Sequence, residues 1–207
     1  MYIPKINVET DLATLWAFMQ QYSFALLCSQ VDGRPFATHI PFLLDAERGS
    51  QGYLTGHLAK ANPHWQKCEQ EALVVFSGPH AYISPTWYDA ANTVPTWNYL
   101  AVHVYGQFKL VDNRDHLRWI VEESVRVYEE MMPQPWQIDM SPERLDNMLN
   151  AIVGFEIEIT EIQGKKKLNQ NHSVERRENV IRALSNIETD DAQAIAREMI
   201  QTLPPSS

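Results

Sequence analysis

Apolar positions along this chain recur with two periods, one helical and one extended, and the switches between them mark its elements. Leu12, Leu15, Trp16 and Met19 recur at helical spacing between Thr10 and Gln21, behind the start signals Asn7, Glu9, Thr10 and Asp11, and predict an amphipathic covering helix. Phe24 to Val31 is a dense apolar run. Asp32-Gly33 is the strongest short hairpin signal in the chain, and Arg34 to Leu44 continues as a second strand. After a polar loop from Asp45 to Gln51, Gly52 to Leu58 reads as a third strand. Asn62-Pro63 then has the form of an N-cap with proline at the first helical position, opening a short helix through Cys68. Leu73 to Ser84 reads as a strand interrupted by Gly78-Pro79. A loop from Pro85 to Pro95 follows, and Asn98 to Val111 resumes near-alternation at Val102, Val104, Gly106 and Phe108.

From about Asn113 to Glu130 a helix carries Leu117, Ile120, Val121, Val125 and Tyr128 on one face, and Pro133 and Pro135 end it. Ser141-Pro142-Glu143 opens a short helix toward Ile152. Gly154 to Ile162 alternates Phe155, Ile157 and Ile159 with Glu156, Glu158 and Glu161, the pattern of a half-buried strand. About six strands in antiparallel order, with few crossover helices, predict a mainly β fold with peripheral helices, a small closed or split Greek-key barrel rather than a doubly wound sheet. Two helices, Ser173 to Leu184 and Asp190 to Gln201, close the chain before a tail, Pro204-Pro205-Ser206-Ser207, expected to fray. Residues 1–165 are expected to form the barrel with its covering helices, and residues 166–207 a helical pair packed on it as part of the same domain.

At 207 residues the chain is long enough for one real hydrophobic core, and 44% apolar with 21% charged content excludes a disordered chain, a collagen and a coiled-coil rod. Cys28 and Cys68 lie far apart without a CxxC, which argues against a disulfide framework and suits a reducing cytoplasm. No leader pattern and no long uncharged apolar run point to export or a membrane. The net charge of −9 disfavours general nucleic-acid binding, which depends on clustered cations. The final helix would be a poor recognition helix because it begins with Asp190 and Asp191, so a packing pair is the better reading. His39, His57, His64, His80 and His103 form no HExxH or Cys/His spacing. Ser77, Ser84 and Asp89 form no visible triad, and neither a P-loop nor a GxGxxG follows a strand.

Four segments taken together are more specific. His57-Leu58-Ala59-Lys60-Ala61-Asn62-Pro63-His64-Trp65, the stretch from Gly78-Pro79 through Tyr82-Ile83-Ser84-Pro85 to Trp87-Tyr88, Val94-Pro95-Thr96-Trp97-Asn98-Tyr99, and Lys167-Leu168-Asn169-Gln170-Asn171 occur in this order across nearly the whole chain. In this the sequence resembles the PaiB-type FMN-binding negative transcriptional regulators. The resemblance implies a split barrel related to pyridoxamine-phosphate oxidases and flavin reductases, a homodimer with FMN in clefts at the subunit interface, and a role in repression.

FMN needs a cation with amide or hydroxyl donors at its phosphate and apolar or aromatic walls at its flavin. Lys60 stands at the end of the third strand, just before the predicted helix start at Asn62, and is the first choice for the phosphate. The resemblance carries the same role onto Lys60. The related oxidases have an arginine beside that lysine, where this chain has Ala59. Thr38 and His39 on the neighbouring strand offer a hydroxyl and an imidazole to the ribityl chain or flavin edge, and Arg34 offers a second charge or is simply solvated. The resemblance places Trp97, Asn98 and Tyr99 near the flavin and lets Lys165 and Lys167 approach the phosphate from a partner chain. Lys165 to Lys167 otherwise read as a DNA-contacting patch or a solvated turn. Three functions follow for test: a flavin-binding sensor or regulator, a flavin-dependent oxidoreductase acting on a small substrate, and a haem-binding or haem-degrading split barrel.

Overall fold

The computed structural model describes residues 1–68, 71–88, 91 and 93–204. Asp89, weighed above as a triad member, and the end of the tail, Pro205 to Ser207, lie outside them.

The chain divides into two compact units. The larger comprises residues 12–76 and 103–162; the smaller comprises 1–11, 77–102 and 163–207. Among the described residues the elements are β1 (Val8–Glu9), α1 (Leu12–Gln21), β2 (Phe24–Val31), β3 (Arg34–Pro41), β4 (Leu43–Asp45), β5 (Tyr53–Ala59), α2 (His64–Lys67), β6 (Glu71–Ile83), β7 (Thr96–Leu110), α3 (Arg114–Glu129), α4 (Pro142–Leu149), β8 (Ile152–Lys167), α5 (Val174–Ser185) and α6 (Asp190–Gln201). The eight strands run β3-β2-β6-β7-β8-β5-β4, with β1 beside β8. The β1–β8, β2–β3, β2–β6, β4–β5 and β5–β8 pairs are antiparallel.

In the larger unit β2 and β3 form the predicted hairpin. Asp32 and Gly33 both take positive φ, 51° and 74°, as a two-residue turn of the primed kind requires, and Val31 pairs with Arg34. Strand β3 stops at Pro41 and β4 begins at Leu43, so the single strand predicted over Arg34 to Leu44 is broken at Phe42, whose side chain turns into the core. There Phe42 meets Phe155 edge-on at 6.0 Å, and Phe155 stacks on Phe108 at 4.8 Å. Helix α1 covers this core with Leu15, Phe18 and Met19, while Leu117 of α3 packs with Leu145 and Leu149 of α4. Asn113 starts α3 by accepting the amides of Asp115 and His116 at 2.8 and 3.2 Å.

The smaller unit has its own core, in which Ile83, Tyr88, Leu100 and Leu168 are buried with Val180 and Leu184 of α5 and Ile195 and Met199 of α6. The C-terminal helices are a packed pair: α6 buries Ala192, Ile195, Ala196 and Met199, while Asp191 at its start meets His80 at 3.4 Å.

Two further strands depart from expectation. Strand β6 is continuous through Gly78-Pro79, but its buried positions change phase there. Ala72, Val74 and Phe76 are buried on one side, and Pro79, Ala81 and Ile83 on the other side of a one-residue slip. Strand β8 continues past Ile162 to Lys167, because Val8 and Glu9 of β1 pair with Lys165 and Gly164. The lysine run is therefore strand, not a turn.

Candidate functional site

Five of the sequence-derived candidates lie in the larger unit and five in the smaller. In the larger, Lys60 follows β5 directly, with its side chain exposed. Its backbone is fixed on both sides: its amide donates to the Ala151 carbonyl at 2.8 Å and its carbonyl accepts Trp65 Nε1 at 3.0 Å. The N-cap of the next helix is Pro63, one residue later than expected, and Asn62 before it accepts the His64 amide on Oδ1 at 3.0 Å and donates through Nδ2 to Thr38 Oγ1 at 3.2 Å. That helix, α2, is four residues long, so the helix-dipole argument for an anion fails at this length. What supports the position instead is an exposed cation two residues before a fixed amide, Asn62, which is bonded to the Thr38 hydroxyl.

Thr38 and Asn62 are held by His64, which sequence reasoning left among the structural histidines. His64 is fully buried, with Nδ1 at 2.9 Å from Thr38 Oγ1, Nε2 at 2.8 Å from Ser29 Oγ, and Phe36 edge-on at 5.0 Å. A neutral imidazole donates at one nitrogen and accepts at the other, a need that two hydroxyls meet. Burial alone holds its proton affinity below the ordinary value. His39 is one residue from Thr38 and so projects from the opposite face of β3, exposed and 6.2 Å from the Phe24 ring. Thr38 and His39 therefore do not act together. Arg34, at the start of β3, is exposed and has no ion pair among the described residues.

Strand alternation sorts the smaller unit in the same way. Asn98 is fully buried, donates to Met199 Sδ at 3.4 Å, and leaves Oδ1 without a partner. Trp97 and Tyr99 project from the other face of β7. Trp97 is 52% exposed and lies within 6.0 Å of the His80 ring and 5.8 Å of the Tyr82 ring. Tyr99 has Lys165 Nζ 4.9 Å from its ring centroid, and the same ammonium donates to the Tyr2 carbonyl at 3.0 Å. The three lysines at the end of β8 meet different partners. Lys166 lies 3.6 Å from both Glu9 and Glu198, whereas Lys165 has the tyrosines and Lys167 the hydroxyl of Thr96. Burial, with repulsion from Lys165, holds the Lys167 ammonium below its usual range.

The residues present fit the FMN phosphate in kind: the larger unit supplies an ammonium at Lys60, a hydroxyl at Thr38 and an amide at Asn62. Comparison with known proteins decides the family. Residues 1–161 match the family model described as "Putative FMN-binding domain". Protease synthase and sporulation protein PAI 2 of Bacillus subtilis is 40% identical over 202 residues, 96% of each chain. The chain belongs to this FMN-binding, PaiB-type family. FMN is the cofactor that membership assigns, and the flavin would supply any electron transfer. Two solved structures share the fold at low identity. The flavocytochrome Anf3 of Azotobacter vinelandii has a TM-score of 0.59 at 16% identity, over 80% of this chain and 72% of that one. The FAD and heme binding protein of Mycobacterium smegmatis has a TM-score of 0.55 at 15% identity, over 83% and 78%. The split barrel expected from the sequence is thus the fold of the chain, and among the described residues no helix is long and apolar enough to cross a membrane.

Sequence reasoning missed Ser29, His64, Thr96, Asn169, His172 and Arg176. Of these, His64, Thr96 and Asn169 lie within the segments that carry the resemblance, whereas Ser29 and His172 have no local signal.

Proposed function

We propose that the protein is a cytoplasmic FMN-binding sensor or regulator that works as a homodimer, with Lys60 on the FMN phosphate and Thr38 and Asn62 beside it. The observation that carries this reading is the Asn62–Thr38 hydrogen bond, held in place by the buried His64, two residues along the chain from the exposed Lys60. The exposed Trp97 and Phe24, at 52% and 67%, are apolar surface of the kind that a partner subunit covers. Regulation in this reading is indirect. The chain is acidic overall, and α6 spends its apolar face on packing rather than presenting it to a groove.

FMN titration of the apo-protein, followed by flavin fluorescence and size-exclusion mass, tests this reading. The expected result is saturation near one FMN per subunit of a dimer. A folded protein that leaves FMN fluorescence unchanged would sink it. Lys60→Ala is expected to weaken FMN by about 1.5–3 kcal/mol, the loss typical of a charge-assisted hydrogen bond. Unchanged affinity in that variant would move the phosphate elsewhere. Titration with haem, watched at the Soret band, discriminates the third reading.

A further inference from the structure

The smaller unit contains a cavity of about 450 Å³. Its polar lining is cationic or neutral: Lys167, Arg176, His172, Asn169, Asn171 and Thr96 face it, and no carboxylate lines it among the described residues. Its apolar wall is Ile6, Val94 and Pro4 with the Tyr88 ring, on which His172 stacks at 4.7 Å and 15°. Neither Lys167 nor Arg176 has a carboxylate partner among the described residues, in contrast to Lys166 one position away.

The segment that bears these groups is fixed before any ligand arrives. Asn169 is buried at 4% exposure, holds a left-handed φ of 60° and donates through Nδ2 to Tyr88 Oη at 2.9 Å. Gln170 ties the same loop down, accepting the Leu168 amide at 2.7 Å and donating to the Lys166 carbonyl at 2.6 Å. A non-glycine residue in the left-handed region costs energy that the surrounding bonds must hold, and such residues gather at ligand sites. Rigid donors also lose little entropy when a ligand binds.

We propose that this cavity binds the dianionic group of a small organic phosphate, between Lys167 and Arg176, with an apolar or aromatic body against Ile6, Val94 and Tyr88, and that it does so separately from FMN. Two formal positive charges match a phosphate monoester, and the lining offers further amide and hydroxyl donors for its oxygens. The state of His172 agrees: burial and the nearby Arg176 hold its proton affinity below the ordinary value, the response of an imidazole beside an uncompensated cation. An anion in the cavity reverses that push. The flavin reading is not needed for this site and does not supply it.

Phenyl phosphate is the probe, titrated calorimetrically into the full chain in a phosphate-free, low-salt buffer, with the His172 ring proton followed by NMR. The expected result is saturable binding that phenol does not compete for, with the His172 titration moved to higher pH. Lys167→Met and Arg176→Met are each expected to weaken binding about tenfold or more, whereas Lys166→Met leaves it within about twofold. Far-ultraviolet circular dichroism checks that each variant is folded, and Arg176 is the second probe should Lys167→Met fail to fold. Absence of saturable binding at millimolar phenyl phosphate overturns the proposal, as does an affinity that follows Lys60 rather than Lys167. Loss of binding when the protein is saturated with FMN also overturns it, by assigning the cavity to the flavin phosphate.

Discussion

Gly106→Val is expected to lower the unfolding free energy by about 3 kcal/mol or more, at or above the upper end of the overpacking range. In the larger unit a Cβ at position 106 would lie 2.4 Å from the Glu158 carbonyl oxygen and 2.6 Å from Ile157 Cγ2. Neither is the free end of a flexible side chain: one is backbone of β8, and the other belongs to a side chain that is fully buried. The strand cannot yield without moving its neighbour, and interiors packed at crystal-like density give way little. Gly33→Ala is the control. Gly33 has a φ of 74°, but nothing lies within 4 Å of an added Cβ, so only the left-handed backbone penalty of about 1–2 kcal/mol applies. Urea denaturation of both variants beside the parent is the measurement. Should Gly106→Val lose no more than Gly33→Ala, the close approach of β7 to β8 is not what fixes a glycine there.

The contrast between these glycines also shows what the sequence carries. Gly33 is legible, because Asp32-Gly33 between two apolar runs has a local meaning and the hairpin closes where the pattern places it, with Phe24 to Val31 as its first strand. Gly106 sits in an alternating strand like any small residue, and the need for it comes from a strand about fifty positions later. The same division runs through the site. Lys60, Asn62 and the Lys167 to Asn171 segment stand out as types and spacings. The segregation of Thr38 from His39, and of Asn98 from Trp97 and Tyr99, follows from strand parity once the strands are known. The end of β8 was illegible, because its last residues are lysines and only pairing with the distant Val8 and Glu9 makes them strand. His64 was hidden for the converse reason. A histidine after a turn looks exposed, and its burial depends on Ser29 and Thr38, which come from two other strands.

His64→Leu is expected to cost about 1–3 kcal/mol of stability and to flatten the acid side of the stability profile. Leucine fills comparable volume but removes the imidazole bonds to the half-buried Ser29 and Thr38 hydroxyls, of which Thr38 keeps Asn62, and each lost bond costs about 0.5–1.5 kcal/mol. The sign of the pH effect follows from linkage. Burial lowers the proton affinity of His64 in the fold relative to 6.5, so between those two values the unfolded chain binds the extra proton. Stability from this residue is therefore full above about pH 6.5 and is lost as pH falls below it. His57, His103 and His172 are displaced in the same direction, with burial as the leading cause in each, so the parent protein should already be less stable at pH 5.5 than at pH 7.5. The lowered carboxyl groups, Glu123, Glu143 and Glu158, release their contribution only at lower pH, below an ordinary value of 4.5, and do not confuse that window. Urea midpoints at the two pH values, for parent and variant, read both effects. A parent equally stable at both would mean that the imidazole is not kept neutral by the fold. The variant carries a functional reading too, since His64 touches Thr38 and Asn62 completes that bond, while Lys60 is untouched. If those groups seat the phosphate, FMN affinity falls in His64→Leu even where the protein remains folded, and affinity equal to the parent's would leave Lys60 to hold the phosphate without them.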